Sequence, residues 1–194
     1  MSFTPMKDLK GYMTPAECKK VVDAADNLRD TLLLRLLWRT GARISEVLSL
    51  ELDDILYDDR VIIIKTLKRR KRKKGGKEKK RRIPIDIETL KMIKEFTDSK
   101  KIFKGTVFHI TRVAAFYIVR KCGAKAGITH VGEKEIHPHH FRHSFAVEFI
   151  KKNPDSMRQL QMLLGHSSIS TTAEYLQFSP TELREDYDRM WDEE

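Results

Sequence analysis

Apolar residues recur along this 194-residue chain in two rhythms, and the change of rhythm divides it into elements. Over 28–39, Leu28, Leu32, Leu33, Leu36 and Leu37 fall on one helical face that stops at Gly41, a helix-ending glycine. Upstream, Thr14-Pro15-Ala16-Glu17 has the spacing of a capping box with proline at the first helical position, which predicts a helix to about Ala25. A short helix over 45–50 carries Val47, Leu48 and Leu50. The rhythm then changes. Val61-Ile62-Ile63-Ile64 is β-branched throughout and predicts a strand. Arg82-Ile83-Pro84-Ile85 is its short counterpart, with Pro84 placing it at a sheet edge or a strand end. Asp53-Asp54 and Tyr57-Asp58-Asp59 mark turns on either side of the apolar pair Ile55-Leu56.

Helical spacing returns over 87–96, over 111–122 and over 141–151. The second of these carries Val113, Phe116, Tyr117 and Val119 and is expected to stop at Gly123. A further helix over 157–164 ends at Gly165, and Ser179-Pro180-Thr181-Glu182 opens a last one to about Trp191. The pattern predicts a mainly α fold with a small antiparallel β-sheet, of the α+β class. No apolar run approaches the roughly 20 residues of a membrane span, and the start of the chain lacks the apolar stretch of a secretory signal. Cys18 and Cys122 have no metal-type pairing and read as buried free thiols in a reducing cytoplasm rather than as a disulfide.

Charge sharpens the picture because it is so unevenly placed. Thirteen of the 38 Lys and Arg residues, and one acid, Glu78, lie between Lys65 and Arg82, a net +12, while the rest of the chain carries −2. Gly75-Gly76 near the middle suits a hairpin tip. The run therefore reads as a long basic arm held at its base by two apolar strands, rather than as a solvated linker. Such a patch binds phosphates and releases their counterions. Lys68, Arg69, Arg70, Lys71, Arg72, Lys73, Lys74, Lys77, Lys79, Lys80, Arg81 and Arg82 are the candidate contacts to double-stranded DNA.

The candidate chemistry lies outside this arm. Arg43 follows a helix stop and precedes an apolar helix, and Arg142 stands between Phe141 and Phe145. An arginine among buried neighbours needs an anion. For Arg43 that anion is Glu46, one turn on, or a ligand phosphate, which a guanidinium fork grips by two oxygens. Five of the seven histidines fall between His130 and His143. His139 and His143 are spaced four apart, but a zinc-protease pattern needs glutamate where His140 stands and no cysteine is near, which argues against a metal. His166 follows Leu163-Leu164-Gly165 and reads as a helix-capping histidine or a phosphate donor. Tyr175 lies nine residues further, in a polar stretch.

Together, Ala42-Arg43-Ile44-Ser45-Glu46, Pro138-His139-His140-Phe141-Arg142-His143, Leu163-Leu164-Gly165-His166 and Tyr175 resemble, in order and spacing, the motif boxes of the tyrosine recombinases, the family of phage integrases and Xer-type enzymes. The resemblance spans about residues 12–180. It implies site-specific cutting and rejoining of DNA through a 3′-phosphotyrosine, with no metal, ATP or other cofactor. In that scheme Tyr175 is the nucleophile, Arg43 and Arg142 hold the phosphate, His139 assists Tyr175, His166 hydrogen-bonds the phosphate and Glu46 supports Arg43. The family's leaving-group lysine falls on Lys65, with Lys68 as the other candidate. The expected organisation is a leading segment over 1–13, a catalytic domain over 14–178 with its basic hairpin over 61–85, and a C-terminal helix over 179–194. That helix carries Leu183, Tyr187, Met190 and Trp191 on one side and would dock on its own domain or on a neighbouring subunit in a synaptic tetramer. Related proteins also carry an N-terminal domain that completes a clamp on DNA, and only about 13 residues precede the first helix here. A cytoplasmic, nucleoid-associated protein is expected. A type IB topoisomerase activity and a catalytically silent DNA-binding module are the alternatives.

Overall fold

The computed structural model describes residues 11–66 and 79–165. Seven α-helices appear among them: α1 (Pro15–Asp23), α2 (Leu28–Thr40), α3 (Ile44–Leu48), α4 (Ile87–Ser99), α5 (Arg112–Lys125), α6 (Pro138–Lys152) and α7 (Met157–Leu164). Strands β1 (Ile55–Leu56), β2 (Val61–Lys65) and β3 (Lys80–Pro84) form an antiparallel sheet in the order β1-β2-β3. A small second hairpin pairs β4 (His130–Val131) with β5 (Lys134–Glu135). The mainly helical fold with a small antiparallel sheet is the one expected. Among the described residues, no helix is long and apolar enough to cross a membrane.

α2 is the central helix. Leu32, Leu33, Leu34, Leu36 and Leu37 are all buried, so it is apolar on more than the one predicted face. It packs against α1, α4, α5 and α6. Arg35, on the same helix, is also buried, and its charge is met at the start of α4. It donates to Thr89 Oγ1 at 2.7 Å, Asp86 Oδ1 at 2.8 Å and Glu88 Oε2 at 2.6 Å. Asp86 is itself the N-cap of α4, so one cluster both starts that helix and binds it to the core. Both cysteines are buried and free.

The hairpin strands pair as expected, Ile62 opposite Ile83 and Ile64 opposite Arg81. Pro84 lies on an edge strand, where its missing N–H costs no ladder bond. The pair Ile55-Leu56 is more than a link between turns, since it is the third strand of this sheet. Its two residues are too few for a periodicity to register. The arm residues Lys68, Arg69, Arg70, Lys71, Arg72, Lys73, Lys74 and Lys77 lie outside the described residues, as do His166, Tyr175 and the helix expected over 179–194.

One boundary differs in an informative way. α5 does not stop at Gly123 but continues to Lys125. The glycine is there for contact. A Cβ at this position would stand 2.6 Å from the Ile128 carbonyl oxygen and 2.7 Å from Ile136 Cγ2. In an exposed helix interior, Gly→Ala stabilises by about 1 kcal/mol. Here Gly123→Ala is expected to destabilise by about 1–3 kcal/mol through overpacking. Chemical denaturation of the two proteins checks the sign.

Candidate active site

The site is assembled from helix ends that meet. α2 closes at Gly41 with φ 58°, and α7 closes at Gly165 with φ 67°. Both are left-handed positions that favour glycine. Between the two closures lies the guanidinium of Arg142, 1 % exposed. Its Nη1 donates to the Gly41 carbonyl at 2.7 Å and its Nη2 to the Leu164 carbonyl at 2.8 Å. Helix C-termini carry partial negative charge, so carbonyls here do part of the work of an acid. The anion expected beside Arg142 is thus partly supplied by main chain, at two helix ends 123 positions apart in the chain.

Two residues after Gly41, Arg43 caps α3. Its backbone N–H donates to Glu46 Oε2 at 2.9 Å and its Nη1 to Glu46 Oε1 at 3.1 Å. Glu46 thus holds both the backbone and the guanidinium of Arg43. The Glu46 side chain is 0 % exposed and that of Arg43 35 % exposed. Glu46 has a second arginine as well. Arg81 donates to Glu46 Oε2 at 2.6 Å and to Oε1 at 3.3 Å. Burial alone would push the Glu46 carboxyl up. The hydrogen bonds and charge of Arg81, and behind them those of Arg43, outweigh burial and hold it below its ordinary value.

Four of the five clustered histidines divide by role. His137 is the N-cap of α6, and its Nδ1 accepts from the His139 N–H at 3.2 Å. His140 reaches back, its Nδ1 accepting from the His137 N–H at 3.1 Å, and the two rings stack 3.9 Å apart. These two make a capping box in which imidazoles replace the usual Ser and Glu. His143 stacks on Tyr12, with 5.9 Å between ring centroids. His139 remains on the surface, three residues before Arg142 and so on the same face of α6. Desolvation by its surroundings, then the charges of Arg142, His137, Arg43 and Arg112, hold its imidazole below the ordinary value. Arg43, His139 and Arg142 therefore share one positive field, the condition for holding an anion. No group of three or more side chains suited to a metal ion occurs among the described residues.

Lys65, at the end of β2, contacts the carboxylates of Glu51 and of Asp54, the latter at 2.9 Å. Hydrogen bonds to Glu51 first and Asp54 second raise its ammonium to about 12. Sequence reasoning missed both acids, because they were read only as turn residues or not at all. Of the arm's cations that the structure describes, Lys79, Lys80 and Arg82 are exposed. Arg81 corrects the expectation of a DNA contact: its side chain is 8 % exposed and turns inward. The signal was present, since strand alternation puts Arg81 on the same face as buried Ile83.

A sequence profile of the family described as "Phage integrase family" matches residues 11–182. The chain is 32 % identical over 188 residues to tyrosine recombinase XerA of Pyrococcus horikoshii, covering 92 % of this chain and 61 % of that protein. Its fold matches the crystal structure of XerA recombinase with a TM-score of 0.75 at 26 % identity, over 98 % of this chain and 65 % of that one. It also matches the catalytic domain of bacteriophage HP1 integrase, with a TM-score of 0.65 at 23 % identity over 92 % and 94 % of the two chains. The chain belongs to the phage integrase family of tyrosine recombinases. It spans about three fifths of the length of the curated relative it matches.

The buried histidine gives the site a pH signature. Desolvation, with the nearby His137 and His143 behind it, lowers His140 to about 3. Unfolded, it titrates near its ordinary value of about 6.5. Its neutral-state stability is therefore fully present above about 6.5 and is lost as pH falls towards about 3. His140→Gln keeps a reach-back acceptor at the third helical position and removes this proton. Its stability should fall less steeply between pH 6.5 and 4, by up to about 1.4 kcal/mol per pH unit. Urea titrations at several pH values compare the slopes.

Proposed function

We propose that this chain is the catalytic portion, over 14–178, of a site-specific DNA recombinase that cuts and rejoins strands through a 3′-phosphotyrosine. The observation that carries the reading is the meeting of Arg142 with the Gly41 carbonyl, two residues before Arg43, with His139 in the field of both arginines. Two guanidiniums on one phosphate, with the buried Arg142 uncovered as DNA binds, would stabilise the charge that grows on the non-bridging oxygens of an attacked phosphodiester. Membership of the family supports assigning the remaining roles to Tyr175, His166 and Lys65.

In this scheme Tyr175 Oη attacks the scissile phosphorus and its proton passes to His139. The bond from phosphorus to the 5′-oxygen breaks, and Lys65 supplies the proton that makes the 5′-hydroxyl. His166 donates to a phosphate oxygen. One phosphodiester replaces another, so the bond energy is kept and a second 5′-hydroxyl can reverse the step without ATP or metal. The raised proton affinity of Lys65 keeps it charged, and a carboxylate-held ammonium gives up its proton reluctantly. Lys65 must therefore trade Glu51 and Asp54 for the DNA. The arm cations, including exposed Lys79, Lys80 and Arg82, lie along the phosphate backbone, and the C-terminal helix over 179–194 docks on a neighbouring subunit of a synaptic tetramer.

A nicked suicide duplex tests this scheme, because it loses the strand needed for rejoining and accumulates the adduct. The wild-type chain should form a covalent protein–DNA product mapping to Tyr175. Tyr175→Phe should form none and bind DNA with unchanged affinity. An adduct that persists in Tyr175→Phe refutes the nucleophile. No wild-type adduct, with binding intact, points to a silent DNA-binding module. Relaxation of supercoiled DNA without strand exchange points to a topoisomerase.

A second measurement addresses Lys65. Lys65→Ala should slow cleavage by about 10²–10⁴-fold, the usual range for a lost general acid. A 5′-thiol leaving group, which needs little protonation, should restore the rate. Absence of rescue would move the role to Lys68.

A further inference from the structure

We infer that Arg81 is a positioning residue that sets three catalytic segments at once, an inference that rests on the recombinase reading above. Its guanidinium touches a neighbour of each. Nη1 donates to Thr66 Oγ1 at 3.1 Å, next to Lys65. Nη2 donates to Glu46 Oε2 at 2.6 Å, the carboxylate that also holds Arg43. Nε donates to the Leu163 carbonyl at 2.7 Å, at the end of α7, while Nη1 lies 3.1 Å from where a Cβ on Gly165 would stand, one residue before His166. Arg81 is one link from Lys65 on the hairpin and from Arg43 at the start of α3, and its third contact is with the last turn of α7, the segment that precedes His166 in sequence.

The electrostatics say how this acts. Glu46 is sealed from water and shared between two arginines. Without Arg81, its buried charge would fall on Arg43, whose more exposed guanidinium would be drawn inward and away from a phosphate. Arg81 thus spares Arg43 for the substrate. The role differs from that of an arm cation, because its loss should act on the chemical step and leave affinity unchanged.

The test compares wild type, Arg81→Ala, Glu46→Gln and the double variant on the nicked duplex at saturating protein, with DNA affinity measured at several salt concentrations. Arg81→Ala should form adduct about 100-fold more slowly, the scale of a displaced catalytic group, with affinity and salt slope unchanged. Adding Glu46→Gln removes the unbalanced charge and should recover about tenfold of that loss, a coupling that general destabilisation would not produce. Arg81→Lys keeps the charge but not the fork. It serves if Arg81→Ala fails to fold, and should cleave more slowly than wild type while binding equally. Wild-type cleavage by the substituted proteins overturns the inference. So does a normal rate with weaker binding and a salt slope smaller by about one, or a double variant no faster than Arg81→Ala. A wild-type protein that forms no adduct instead rejects the recombinase reading, so the two failures are distinct.

Discussion

A carboxylate shut away from water between two arginines is the interaction on which the rest of this site depends. Glu46 would be costly to bury alone, and removing one partner from such a pair costs about 3–5 kcal/mol. Arg43 and Arg81 together satisfy it, and each ties a different part of the chain to α3. Arg43 closes the start of that helix, and Arg81 brings in the hairpin and the end of α7. Arg142 completes the circuit by joining the end of α7 to the end of α2, two residues before Arg43. The result is a closed path, Arg43 to Glu46 to Arg81 to α7 to Arg142 and back to the α2–α3 junction.

Main-chain carbonyls have a large part in this arrangement. Leu163 and Leu164 each present a carbonyl at the close of α7, and one is taken by Arg81 and the other by Arg142. Helix ends leave such carbonyls without internal partners, and a guanidinium is well suited to take them. The left-handed glycines at 41 and 165 turn the chain away sharply enough for the arginines to approach. At Gly41 the space is also closed, since a Cβ would stand 2.5 Å from Phe145 Cδ1, one turn after Arg142 on α6. The stops of α2 and α7 therefore hold the arginines as well as end their helices.

Much of this was legible in the sequence, for reasons that can be named. The leucines of α2, the β-branched run of β2 and the glycine stops of α2 and α7 each express a single local rule, and each element formed where the rule placed it. Arg43 and Arg142 stood out because charged groups in apolar surroundings demand partners, Glu46 because it stands one turn from Arg43, and His139 because it lies three residues before Arg142. Local rules failed where the partner was distant. Gly123 looked like a stop because Ile128 and Ile136 could not be seen pressing on it. Arg81 looked like one more arm cation because composition outweighed alternation, and its partners at 46 and 163 lie far away in sequence. The acids around Lys65 were hidden likewise, since their role depends on β1 pairing with β2 and bringing the turn before it under the lysine.

The most direct measurement is a crystal structure of the chain bound to a duplex carrying the scissile phosphate. The account predicts Arg43 and Arg142 on the non-bridging oxygens of one phosphate, Tyr175 in line with the 5′-oxygen, and Glu46 still held by Arg81. A phosphate gripped elsewhere, with the two guanidiniums directed to separate surfaces, would contradict it.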